Sequence, residues 1–210
     1  MGLLPGGDMM KDGAHSWLQR ITLQKTERTE TPGTVSITGP TGTYSWKHGT
    51  DVLTGMNGNE PHLDVSAPMV FVGYGIDNEK LGINDYAGLD VKGKIVVTLR
   101  GFPKGMPSEE GAYAGATKGI AAQKHGAIGM VSIGTLQSMK ARPWERMVHF
   151  ADEPSFAWVG SDGKVFDEAP DIRASATLNE PAAQAAFIGA PQTLTAIRKV
   201  ADKAGGRPKG

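Results

Sequence analysis

The stretch GLDVKGKI at residues 88–95 has the spacing G-x-x-x-x-G-K-I, which differs at one residue from a phosphate-binding loop. In such a loop the glycines let backbone amides close around a phosphate. The lysine reaches the outer oxygens, and a Ser or Thr hydroxyl ligates Mg²⁺. Two features work against that chemistry here. Position 95 is Ile, which has no hydroxyl, and Lys94 leads into the β-branched run KIVVTLR (94–100). A phosphate loop would instead open a helix whose first amides hold the anion. The pattern reads as a turn feeding a strand. GYG at 73–75 begins a dinucleotide fingerprint, but Asn78 stands where the third glycine belongs and no helical pattern follows. These glycines read as a tight exit from a strand.

His62 and Asp64 form an H-x-D pair, which places both side chains on one face of an extended segment. Zinc needs three or four ligands, and no H-E-x-x-H or carboxylate-rich partner lies nearby, so the pair reads as surface. His125 falls at the end of a helical pattern, where a cation interacts well with the helix dipole. His15, His48 and His149 stand alone in the sequence. There is no cysteine and no G-x-S-x-G elbow, which removes thiolate metal sites, disulfides and Cys nucleophiles. Glu109–Glu110 and Asp152–Glu153 lie in polar stretches and read as solvated charge. The residues assemble no catalytic constellation, no cofactor site and no metal site.

SMKARPWERMVHF (138–150) is different in kind. Trp144 lies between Arg142 and Arg146, with Phe150 close behind. Trp and Arg are enriched at binding hot spots. Pro143 and the surrounding charges argue against a regular element, so Trp144 is expected on a loop, partly exposed. The alternative is that Trp144 packs on the domain's own core while the arginines are solvated. Arg142, Trp144, Arg146 and Phe150 are the candidate interaction residues.

These residues need a scaffold. The chain has 210 residues, enough for one domain with appendages. Lys and Arg total 22 and so do Asp and Glu, so no net field draws nucleic acid or an anionic membrane. No apolar run approaches the ~20 residues of a membrane helix, and the start lacks the apolar stretch of a signal peptide. With 29 Gly, 13 Pro and 7% aromatics, the composition suits short strands and many turns.

Residues 16–24 and 69–76 read as strands, and 34–46 as a hairpin turning at GPTG. KIVVTLR (94–100) and AIGMVSIG (127–134) are apolar strands flanking one helical pattern over 112–125, in which Tyr113, Ala116, Ile120 and Lys124 share a stripe and Gly126 is placed to end the helix. Strand, helix, strand is a crossover, so 94–100 and 127–133 are expected to be parallel neighbours. Short strands follow at 156–160 and 172–178. Helices follow at 180–190 and 193–206, with Asn179 and Thr193 as caps.

FVGYGIDNEKLGINDYAGLDVKGKIVVTLRG (71–101), followed by AAQKHGAIGMVSIG (121–134), resembles a protease-associated domain. More narrowly, it resembles the version inserted in bacterial zinc aminopeptidases related to glutamate carboxypeptidase and the transferrin receptor. GLLPGGD and SWLQRITL look like that family's approach to the insert, and PAAQAAFIGA like the helix leaving it. The resemblance implies three parts: a lead-in over 1–30, the protease-associated domain over 31–178, and a helical exit segment over 179–210. In the family the zinc ligands lie in a separate catalytic domain, and no position here matches one. It therefore implies a non-catalytic lid or interaction module, zinc only in the parent enzyme, a catalytic domain in cis and peptide as partners, and a periplasmic or secreted setting. The alternative is a stand-alone peptide- or protein-binding module. The fold expected is β-rich α/β, an open β-barrel or two-sheet arrangement with a few flanking helices.

Overall fold

The computed structural model describes residues 2–29, 31 and 33–210. Its centre is a five-stranded sheet in the order β4-β11-β9-β8-β5. β5 (Met69–Phe71), β8 (Ile95–Leu99), β9 (Gly129–Ile133) and β11 (Ala174–Leu178) run parallel, and β4 (Val52–Thr54) closes one edge antiparallel to β11. The expected pair is in register from Ile95↔Gly129 to Leu99↔Ile133. The architecture is mixed α/β and sheet-rich, and the described strands form no closed barrel.

A parallel sheet needs cover on both faces, and the alternation of β8 supplies it. Val97 and Leu99 join Val131, Ile133 and Leu178 in one cluster, while Val96 joins Val72, Tyr86, Val91, Ala121 and Ala122 in another. The crossover between β8 and β9 is two helices rather than one, α1 (Ser108–Ala116) and α2 (Lys118–Lys124). The break falls at Thr117, whose Oγ1 bonds back to the Tyr113 carbonyl at 3.0 Å. Gly126 (φ 81°) ends α2 as expected.

The Tyr113, Ala116, Ile120, Lys124 stripe exists but faces solvent. Ala114, Lys118, Ala121 and Ala122 are buried instead.

The hairpin β2 (Thr34–Gly39) and β3 (Gly42–Lys47) turns where GPTG predicts. Its Val35, Ile37, Tyr44 and Trp46 pack on the first cluster. The strand expected over 69–76 stops at Phe71, because Gly73 (φ 63°) and Gly75 (φ 72°) turn the chain while Tyr74 and Ile76 stay buried. They lead to a small ribbon, β6 (Asp77–Asn78) with β7 (Ile83–Asn84).

The strand expected over 16–24 is displaced: only its last two residues fall in β1 (Leu23–Thr26), which pairs with β10 (Ser155–Trp158). Ile21 and Leu23 are exposed. α5 (Glu180–Ala186) and α6 (Leu194–Ala201) are shorter than expected but capped as expected: Asn179 Oδ1 accepts from the Ala182 amide at 2.9 Å, and Thr193 Oγ1 from that of Ala196 at 3.2 Å. Both helices share the first core cluster with the sheet. The boundary expected between 30 and 31 adjoins Glu30, which lies outside the described residues.

Candidate interaction site

The segment after β9 is helical, which corrects the expected loop. α3 (Leu136–Ala141) starts on a capping box: Thr135 Oγ1 accepts from the Ser138 amide at 3.1 Å, and Ser138 Oγ accepts from that of Thr135 at 2.9 Å. α4 (Trp144–His149) follows after Pro143, whose extended backbone (φ −58°, ψ 154°) makes it the N-cap. Proline breaks a helix interior, but its fixed φ and missing N–H suit a helix start. Pro143 separates two helices and abolishes neither.

The four candidate residues fall on this segment with different exposures. Arg142 caps the end of α3, Arg146 lies on α4, and both are exposed. Among the described residues, neither guanidinium has a carboxylate within ion-pair distance. Phe150 is 50% exposed and meets His149 edge-on at 4.8 Å. Trp144 is half-buried. Phe150 is the C-cap of α4, directly after His149.

Both ends of the segment are pinned. At the start, buried Arg198 of α6 donates from Nε to the Gly134 carbonyl at 2.9 Å and from Nη1 to Glu180 Oε1 at 2.6 Å. Its Nη2 lies 3.9 Å from Met139 Sδ on α3. The Arg198 hydrogen bond holds the Glu180 carboxyl below its usual range. At the far end, Asp152 meets His48 Nε2 at 3.1 Å and Arg28 Nε at 3.0 Å. His48 stands alone in the sequence but is partnered in the fold, while Asp152 pairs with it and keeps its side chain 69% exposed. Beside them runs an open groove of about 320 Å³, lined by Thr54, Met130, Ser132, Ala151, Ser175 and Thr177. The signal for Arg198 in the sequence is helical spacing: it shares the i, i+3, i+4, i+7 face of α6 with Leu194, Ile197 and Ala201.

The other candidates resolve into structural roles. In GLDVKGKI, Lys94 Nζ bonds the Asp90 carbonyl and Oδ2, both at 2.9 Å, and Asp90 Oδ1 accepts from the Lys92 amide at 3.2 Å. Gly93 (φ 67°) turns the chain directly into β8. The lysine that a phosphate would need is tied to its own turn. His125 closes α2, stacks on Tyr86 at 4.3 Å and meets Asp77 Oδ2 at 2.9 Å. Lys124 Nζ donates to the same oxygen at 2.8 Å, which lowers the Asp77 pKa. Together they fasten β6 to α2, beside an open groove of about 410 Å³. His62 and Asp64 are exposed, and among the described residues no three His, Asp or Glu converge as metal ligands.

The family model of the PA domain matches residues 58–156. That span runs from the loop before β5 into the first two residues of β10. It contains the β8–α1–α2–β9 crossover and all of α3 and α4, so the candidate segment lies inside a protease-associated match. No curated protein matches the chain.

Proposed function

We propose that this chain is a non-catalytic protease-associated module that shapes peptide access to a zinc aminopeptidase domain in the same polypeptide. The α3–α4 face turns toward that domain or its cleft. The observation that carries the reading is the α3–α4 segment itself. Within the matched span it is fixed at both ends, yet Arg142, Arg146 and Phe150 are left exposed. Loops and short elements held by a rigid scaffold are where binding residues concentrate. An unpaired arginine can meet a peptide or partner carboxylate through two parallel hydrogen bonds. Zinc belongs to the catalytic domain in this reading, and the setting is periplasmic or secreted, as the family resemblance implies.

The test uses the full-length polypeptide. Arg142→Gln and Arg146→Gln, being surface changes, are expected to leave this domain's stability within about 0.5 kcal/mol while lowering peptide turnover. Trp144→Ala lowers turnover too, and costs less than the ~3–5 kcal/mol of a core tryptophan. Unchanged turnover in all three variants refutes the reading. So does a reading frame without zinc-ligand motifs downstream.

A further inference from the structure

The turn that closes α4 is fastened to the sheet edge by a buried histidine. The His48 side chain is 3% exposed. Its Nδ1 lies 2.9 Å from the Thr54 backbone nitrogen and 3.0 Å from Thr54 Oγ1. A backbone amide only donates, so Nδ1 carries no hydrogen. The ring's one hydrogen is therefore on Nε2, which donates to Asp152 Oδ1 at 3.1 Å. Arg28 braces both partners: Nη1 donates to Thr54 Oγ1 at 2.9 Å, Nη2 to the Thr54 carbonyl at 2.6 Å, and Nε lies 3.0 Å from Asp152 Oδ1.

The charged groups facing the ring are Arg28, from the chain after β1, and Asp152, from the turn after α4. β4 offers only neutral Thr54, and the Gly33 carbonyl accepts from the His48 amide at 3.0 Å. Burial first, then Arg28, lowers the His48 pKa against the opposing pull of Asp152.

We propose that His48 is a proton-operated latch: neutral, it ties the turn at 150–153 to β4; protonated, it lets that turn leave the sheet edge. The second proton must go on Nδ1, where it points at an N–H donor 2.9 Å away. Two donors cannot share that contact, so the ring has to shift. Thr54 is held by its register opposite Ala176 in the sheet, whereas the Asp152 side chain is 69% exposed. The imidazolium stays paired with Asp152, and the two leave Thr54 together. Ala151, next in the chain, walls the groove over Ser132, Ser175 and Thr177. Acidification therefore opens that groove. This concerns the chain's own conformations and does not rest on the proposed partner domain.

The test is nuclear magnetic resonance on the intact chain between pH 7.5 and 5. At pH 7.5 the His48 ring nitrogens should report the Nε2–H tautomer. As pH falls from the ordinary histidine range toward the lowered His48 midpoint, the Thr54, Ala151 and Glu153 amides should lose protection by up to about tenfold per pH unit. The Val97 and Ile133 amides should keep theirs. His48→Gln, which keeps a neutral donor and acceptor, should abolish the response. Asp152→Asn, a change at an exposed position, should move the midpoint to lower pH by removing the group that favours the imidazolium. The proposal is overturned by any of these: an Nδ1–H tautomer at pH 7.5, unchanged Thr54 and Ala151 protection across the titration, an equal response in His48→Gln, core amides loosening in parallel, or a midpoint in Asp152→Asn that stays or rises.

Discussion

At the scale of single residues, the most consequential side chain besides His48 is Lys118. Its Nζ donates to the carbonyls of Leu99 at 2.7 Å and Gly101 at 2.6 Å, and lies 5.6 Å from the Tyr74 ring centroid. Burial pushes its pKa down to about 8, with Asp85 pulling the other way. In the unfolded chain the same amine titrates near its ordinary value, about 10.4. Between those values the unfolded state holds a proton that the folded state has released, so this group makes the protein more stable as pH rises. Lys118→Met is expected to remove that rise, which amounts to at most about 3 kcal/mol. It also leaves the buried Leu99 carbonyl without the Lys118 donor, at a cost of about 1–3 kcal/mol near neutral pH. Urea unfolding of both proteins at pH 7.5 and 9.5 checks the pair, and parallel pH dependence would remove Lys118 from the explanation. Lys118, Arg198 and His48 were the residues least legible in the sequence. Their roles depend on carbonyls and carboxylates brought from 17 to 104 positions away. Arg142, Trp144, Arg146 and Phe150 were legible as a composition, because Trp flanked by Arg is local information.

At the scale of elements, the crossover was the part the sequence displayed best. Its strands are short apolar runs with β-branched residues, and the helical pattern between them fixes their parallel direction. The hairpin turn and the caps at Asn179 and Thr193 were legible for the same reason, since turn and cap chemistry is local. The outward stripe on α1–α2 shows where locality ends. Spacing alone cannot tell which helical face meets the sheet when the buried face is built of Ala, Gly and one lysine. α1 comes close to the loop after β8, and Gly111 is the contact point. A Cβ there would stand 2.4 Å from Phe102 Cε2, with two more ring atoms within 2.6 Å. Gly111→Ala should gain up to about 1 kcal/mol of helix propensity and lose about 1–3 kcal/mol to the displaced ring. The net expectation is destabilisation, and a smaller or reversed cost of Gly111→Ala when it is made in a Phe102→Ala background. Chemical denaturation of the single and double variants decides it; a Gly111→Ala protein as stable as the original would show that the ring moves freely.

At the scale of the whole molecule, the PA-domain match and the folded unit have different limits. The matched span, 58–156, holds β5, β8 and β9 but stops before β11, the strand that pairs with β9 from Ala174↔Gly129 to Thr177↔Ser132. It also lacks β4, the β2–β3 hairpin, α5 and α6. Together with β11 these contribute Trp46, Val52, Leu178, Ala182, Ala183, Leu194, Ile197 and Ala201 to the cluster over Val97, Leu99, Val131 and Ile133. A fragment cut to 58–156 would bare one face of the sheet and the open edge of β9. Each Val, Leu or Ile side chain that loses its cover forfeits about 1.5–3 kcal/mol, and several such losses exceed the ~5–15 kcal/mol by which a domain is stable. The exposed edge adds a template for association. The 58–156 fragment is therefore expected to show poor amide dispersion and no cooperative urea transition, while residues 1–210 unfold in one transition. A cooperative transition in the fragment would mean that the α1–α2 side of the sheet suffices for folding, and that the hairpin and the two C-terminal helices are additions to an already stable unit.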